Sequence, residues 1–215
     1  MKTFPLTVID DFFEDPDYIR DLGLSVDYPN QNGRYPGRRS KTISYIDSVL
    51  FNYIGNKIFS IFGPIPDNWN IPIEFQKITP FSNDKWDIVN RGHVHRDRDS
   101  HFGGIIYLNK NPDVDTGTSV YKPKTGYNYL SNNQTDVKEK LYNNQDFDMD
   151  EYIKQYNVYH DRFVETIKID NVYNRLVLFG GDVYHGVRTF GTEERLTISF
   201  FCKNASNYIN PLVRL

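Results

Sequence analysis

The 215-residue chain has one cysteine, Cys202. A single thiol can form neither an intrachain disulfide nor a multi-thiolate metal site, so disulfide-stapled scaffolds and zinc-thiolate modules are excluded. No apolar run approaches the roughly 18 residues of a membrane span, and mean hydropathy is −0.60. An excess of one charge is also missing. The 25 Lys and Arg residues against 28 Asp and Glu give a formal charge of −3 and a pI near 5.9. Dedicated nucleic-acid binders usually carry a basic domain, so a nucleic-acid partner is not expected. The start, Met1-Lys2-Thr3-Phe4-Pro5, has no apolar signal core and no small-residue cleavage site, which leads us to expect a cytoplasmic, reducing location. Without a secretory signal, the Asn-x-Ser/Thr triplets at Asn133 and Asn204 read as chance matches.

What is present is enough for a core. Hydrophobic residues make up 39% of the chain and aromatics 15%, with 16 Tyr and 15 Phe, so wholesale disorder is excluded. Leu6 to Ile9 reads as a short strand. Asp15-Pro16-Asp17 supplies a cap, a proline at the first helical position and an acidic first turn, for a helix ending near Gly23. Residues 27 to 40 are turn-rich and basic. Asp47 caps a second helix in which Val49, Leu50, Tyr53, Ile54, Ile58, Ile61 and Phe62 recur at helical spacing, ended by Gly63-Pro64. From Ile71 onward the pattern changes to short apolar runs: Ile73 to Ile78, Gly103 to Leu108, Val164 to Ile169, Leu176 to Phe179 and Leu196 to Phe201. Turn residues separate them, which predicts an antiparallel sandwich or barrel. Residues 122 to 160 are polar and Asn-rich, with helix expected around Val137 to Leu141 and Met149 to Tyr156. A long excursion of this kind reads as a lid or a solvated insertion.

Of the five histidines, His95 stands in His95-Arg96-Asp97. In an extended segment, residues two apart project to one face, so imidazole and carboxylate sit together. His185, in Gly181-Asp182-Val183-Tyr184-His185-Gly186, supplies a third ligand from a neighbouring strand. Two histidines and one carboxylate with open positions suit a non-haem Fe(II) site. Ten residues on, Arg195 opens a strand with Thr197 on its face. Such an arginine offers a rigid fork to a carboxylate; the alternative is an edge-strand arginine paired with Glu193 or Glu194.

These segments resemble the Fe(II)/2-oxoglutarate-dependent dioxygenases, in the prolyl-4-hydroxylase-like branch and its small phage-type relatives. The resemblance is carried by His93-Val94-His95-Arg96-Asp97, Gly103 to Asn109, Thr116 to Tyr121, Asn174 to Phe179, His185, Arg195 and Cys202, and by the opening Val8-Ile9-Asp10-Asp11-Phe12-Phe13. It runs from about residue 4 to residue 203 and is weakest between 122 and 160.

The resemblance implies a mainly β fold with flanking helices, a double-stranded β-helix or jelly roll of cupin type. It implies a single domain over residues 1–215, with helical support in 1–70 and the jelly-roll core in 71–203. His95, Asp97 and His185 match the family's iron triad, and Arg195 the residue that binds the distal carboxylate of 2-oxoglutarate. Tyr107 and Thr197 match hydroxyls that share this carboxylate. The cofactors implied are Fe(II), 2-oxoglutarate and O2, with ascorbate in support. The reaction implied is hydroxylation of a substrate C–H bond, a protein side chain such as proline, with release of succinate and CO2.

His93 shares a face with His95, but only His95 has Asp two positions on, so His93 is expected to be a hydrogen-bonded core histidine. His101 and His160, with polar neighbours, are expected at the surface. Two other functions stay open. One is oxidation of a modified nucleotide or small metabolite, aided by a patch of Arg34, Arg38, Arg39, Arg96 and Arg98. The other is a non-catalytic jelly-roll binding protein, against which the intact triad and Arg195 argue.

Overall fold

Both early helices start at the expected caps. In the computed structural model, which describes residues 2–3, 6–29, 34–61, 63–124, 132–206 and 213–214, Asp15 accepts the Tyr18 N–H and Pro16 opens α1 (Pro16–Ser25). Asp47 accepts from Val49 and Leu50 at the start of α2 (Ser48–Ser60). Phe62, Tyr127 and Tyr129 lie outside the described residues. The other main elements are β1 (Leu6–Ile9), β2 (Arg38–Thr42), β3 (Ile73–Ile78), β4 (Phe102–Tyr107), β5 (Thr118–Pro123), α3 (Asn132–Tyr142), α4 (Met149–His160), β6 (Phe163–Ile169), β7 (Leu176–Gly180), β8 (Tyr184–Val187) and β9 (Arg195–Cys202).

Six strands form a major sheet in the order β1-β7-β4-β9-β3-β2, and three form a minor sheet in the order β8-β5-β6. Every pairing within these sheets is antiparallel. The fold is mainly β with a few helices, as the jelly-roll expectation required.

Alternation along the central strands assigns their two faces. Leu196, Ile198, Phe200 and Cys202 of β9, with Phe102 and Ile106 of β4 and Leu176 and Leu178 of β7, join Ile54, Ile58 and Phe59 of α2 in one core. Gly104 leaves the space that the Phe200 ring fills, since a Cβ there would stand 2.3 Å from that ring. The opposite face holds a second cluster, with Tyr107, Val177 and Phe179 from the major sheet against Val120 and Ile169 from the minor one.

A third cluster comes from residues that look polar in sequence. Tyr142 of α3 and Tyr152 and Tyr156 of α4 are buried with Ile78, Val89 and Phe190. The basic segment Arg38–Thr42, read as turn, is instead the outermost strand of the major sheet. Charged side chains suit an edge strand because they discourage pairing with another chain.

Candidate metal centre

His95 and His185 are brought together by two backbone hydrogen bonds. The His95 N–H donates to the His185 carbonyl at 2.9 Å, and the reverse bond is 3.0 Å. Each ring is then fixed by its own strand. Nδ1 of His95 lies 2.9 Å from the His93 carbonyl, and Nδ1 of His185 lies 2.9 Å from the Val183 carbonyl. A carbonyl can only accept, so each Nδ1 carries the proton and each Nε2 keeps its lone pair free. Both Nε2 atoms face Asp97: His95 Nε2 is 3.9 Å from Oδ1, and His185 Nε2 is 3.4 Å from Oδ2. The three ligand atoms lie within 4.8 Å of one another.

Protonation would spoil this arrangement, and the surroundings oppose it. Burial lowers the basicity of both imidazoles, and the neighbouring His185 lowers that of His95 further. Asp97 Oδ2 is buried without a hydrogen-bond partner. An orphaned carboxylate oxygen facing two lone pairs suits a divalent cation with mixed N and O ligands. The sequence-predicted triad therefore converges, and its chemistry fits iron. Gly181 makes the close approach possible, since a Cβ there would meet the Ser100 carbonyl at 1.9 Å and the Asp97 carbonyl at 2.8 Å.

A wall of tyrosines holds the strand that carries His95. Tyr156 donates to the Gly92 carbonyl at 3.2 Å and Tyr159 to the Val94 carbonyl at 2.9 Å. His93 Nε2 meets the Tyr152 hydroxyl at 3.1 Å, so it is the hydrogen-bonded core residue expected. His101 is exposed, also as expected. His160 is not at the surface as a free side chain. Its ring stacks on Tyr156 at 3.9 Å, and burial pushes its pKa down to about 4. The helix turns it inward among aromatics, which its polar sequence neighbours conceal.

Arg195 is 3% exposed and its Nε and Nη2 have no hydrogen-bond partner. Glu194, its proposed surface partner, pairs with Lys77 at 3.7 Å instead. The edge-strand alternative is thereby overturned. Arg195 lies 5.4 Å from the Tyr107 ring centre, and the Tyr107 hydroxyl is 2.7 Å from that of Thr118. Thr197 and Ser199, on the same face of β9, also have buried hydroxyls without partners. Along β4, Gly103 stands beside Asp97 while Tyr107 pairs with Thr197. A buried cation without a counter-ion among the described residues is costly, and this polar strip can accept an anion with several oxygens.

Sequence reading missed several residues here. Ser199 shares the odd-number spacing of Arg195 and Thr197 and was therefore legible. The Phe179 ring packing 3.9 Å from that of His185 and the half-buried Lys138 near Asp97 depend on tertiary contacts and carry no such local signal, while Arg39 was named only as one member of a basic patch.

The fold and this arrangement define the class: the chain has the fold of the 2-oxoglutarate/Fe(II) oxygenases. A prolyl hydroxylase from Trichoplax adhaerens, solved with a peptide fragment of the hypoxia inducible factor oxygen degradation domain, superposes with a TM-score of 0.54 at 15% identity, over 92% of this chain and 83% of that one. HygX from Streptomyces hygroscopicus, solved with nickel and 2-oxoglutarate, gives 0.57 at 11% identity, over 97% and 85%. A prolyl-4-hydroxylase from Pseudomonas putida gives 0.50 at 13%, over 95% of both. The chain belongs to the family of unknown function DUF6445, whose model matches residues 1–189. That span contains His95, Asp97 and His185. No curated protein matches the chain.

Proposed function

We propose that this chain is an Fe(II)- and 2-oxoglutarate-dependent dioxygenase that hydroxylates a substrate C–H bond, on a protein side chain such as proline, releasing succinate and CO2. The observation that carries the reading is one pairing: a convergent His95–Asp97–His185 triad and a buried Arg195 whose Nε and Nη2 have no hydrogen-bond partner among the described residues. A metal site alone would not need the second, and a structural arginine would spend those donors on the protein.

In this reading His95, Asp97 and His185 hold Fe(II) on one face. When bound, iron and 2-oxoglutarate together supply the oxidising power for O2 chemistry that no side chain has. The protein's own residues do the rest. Arg195 receives the distal carboxylate as a planar fork, with Thr197 and Tyr107 beside it, and this fixes the register of the cosubstrate. The carbonyls of His93 and Val183 keep both imidazoles in the ligating tautomer. Phe179 covers the ring of His185, and Tyr156 and Tyr159 hold the segment that carries His95. The chain acts as one unit over residues 1–215, with α3 and α4 as a lid or insertion beside the site. Ascorbate is expected to support turnover by keeping iron reduced.

The test is direct. Purified protein should bind Mn(II) or Fe(II) and form succinate from 2-oxoglutarate even without substrate, whereas Asp97→Ala should do neither. Full activity in Asp97→Ala, or loss in His93→Ala with survival in His95→Ala, would sink the assignment.

A further inference from the structure

Arg39 lies on the outermost strand of the major sheet. Its backbone pairs with Gln76, which pairs with Thr197, so its side chain leaves the sheet on the same face as Arg195, Thr197 and Ser199. Its guanidinium carbon lies 3.8 Å from the Tyr35 centroid and 5.1 Å from that of Phe201. Phe201 in turn faces Gly103, the residue beside Asp97. Arg39 is close enough to Asp97 to feel its charge.

This arginine is poorly satisfied. Its side chain is 16% exposed, and its one ion pair is a long 3.4 Å contact from Nη1 to Glu74. Its Nε is buried without a partner. A guanidinium has five N–H donors in one plane. Two aromatic rings pack near it, and its unspent N–H edge offers the approach a carboxylate makes to an arginine fork. A purely structural arginine on a charged edge strand would turn to water, as the exposed Arg38 does.

We propose that Arg39 is a specificity-determining residue that binds a carboxylate carried by the substrate, holding the C–H bond to be oxidised over the metal centre. This rests on the oxygenase reading above. It narrows the substrate from any side chain to a molecule with a free carboxylate near the reacting carbon, either a small acid or a chain terminus, and disfavours an internal residue of a neutral peptide. Arg195 is then reserved for the cosubstrate and Arg39 for the substrate.

The experiment uses full-length protein loaded with Mn(II) and 2-oxoglutarate, titrated calorimetrically with N-acetylated amino acids, each compared with its carboxamide. Carboxylates should bind at least about tenfold tighter than the matching amides. Arg39→Gln should abolish that preference with unchanged 2-oxoglutarate affinity, and Arg39→Lys should restore part of it. Glu74→Gln, which removes the competing acid, should strengthen carboxylate binding and serves if Arg39→Gln misfolds. The proposal is overturned if the unaltered protein shows no preference, if Arg39→Gln keeps it, or if Arg39→Gln loses 2-oxoglutarate as strongly as Arg195→Ala does. A separate titration with Mn(II) and 2-oxoglutarate alone tests the oxygenase reading, so its failure is distinguishable from failure at Arg39.

Discussion

The two faces of β9 were built for opposite purposes. One presents Leu196, Ile198, Phe200 and Cys202 to the helices in a dry core. The other presents Arg195, Thr197 and Ser199, all at most 3% exposed, with polar atoms that bond to nothing among the described residues. Burial is the same, yet only the first face gains stability from it, because burying unpaired polar groups costs free energy. In the proposed reading, the second face is a stored demand for a ligand. The comparison teaches that burial alone does not separate a core from a site; satisfaction of polar groups does.

Substitutions on one strand can sharpen this contrast. Phe200→Ala should have the largest effect, costing about 3–5 kcal/mol of stability with 2-oxoglutarate affinity retained under conditions where the protein is folded. Chemical denaturation and calorimetry read the two quantities separately. Arg195→Ala should do the reverse. It removes a charge-assisted contact and should weaken 2-oxoglutarate binding about tenfold to several hundredfold, at roughly 1.4 kcal/mol per factor of ten. Its stability should hold or rise, since a buried cation with no counter-ion among the described residues is gone. Loss of stability without loss of affinity would break the comparison. Arg195→Lys should recover only part of the binding, because a point charge lacks the planar fork.

Thr197→Val is the finer test. Replacing an unsatisfied hydroxyl with a methyl should leave the melting temperature unchanged or slightly raised while weakening cosubstrate binding. Smallest should be a pH effect in metal-free protein. The folded-state pKa values of His93, His95, His160 and His185 are all depressed, chiefly by burial. As pH falls below about 6.5, the unfolded chain takes up protons that the folded chain refuses, so stability declines toward pH 4. His160→Gln should flatten that decline in thermal melts, and an unchanged slope would remove His160 from the account.

Much of this was legible in the sequence. The caps at Asp15 and Asp47 gave helices that start where expected, and the apolar runs from Ile73 to Phe201 became strands. Two strands of the main sheets were missed: Arg38–Thr42 and Thr118–Pro123 are largely polar, and their extended form comes from neighbours rather than from propensity. Spacing was enough to single out His95, Asp97, His185 and Arg195, because period-two alternation and chain order are local properties. Lys138, the inward turn of His160 and the place of Arg39 beside Phe201 were not, because each depends on contacts with elements distant in sequence.

The paired backbone bonds between His95 and His185 also have a kinetic consequence. They join residues 185 − 95 = 90 positions apart, a long loop whose closure costs entropy and favours late assembly. A cation has no ready-made cage before that closure. Metal should therefore leave the refolding rate almost unchanged and slow unfolding instead, lengthening the lifetime of the native state.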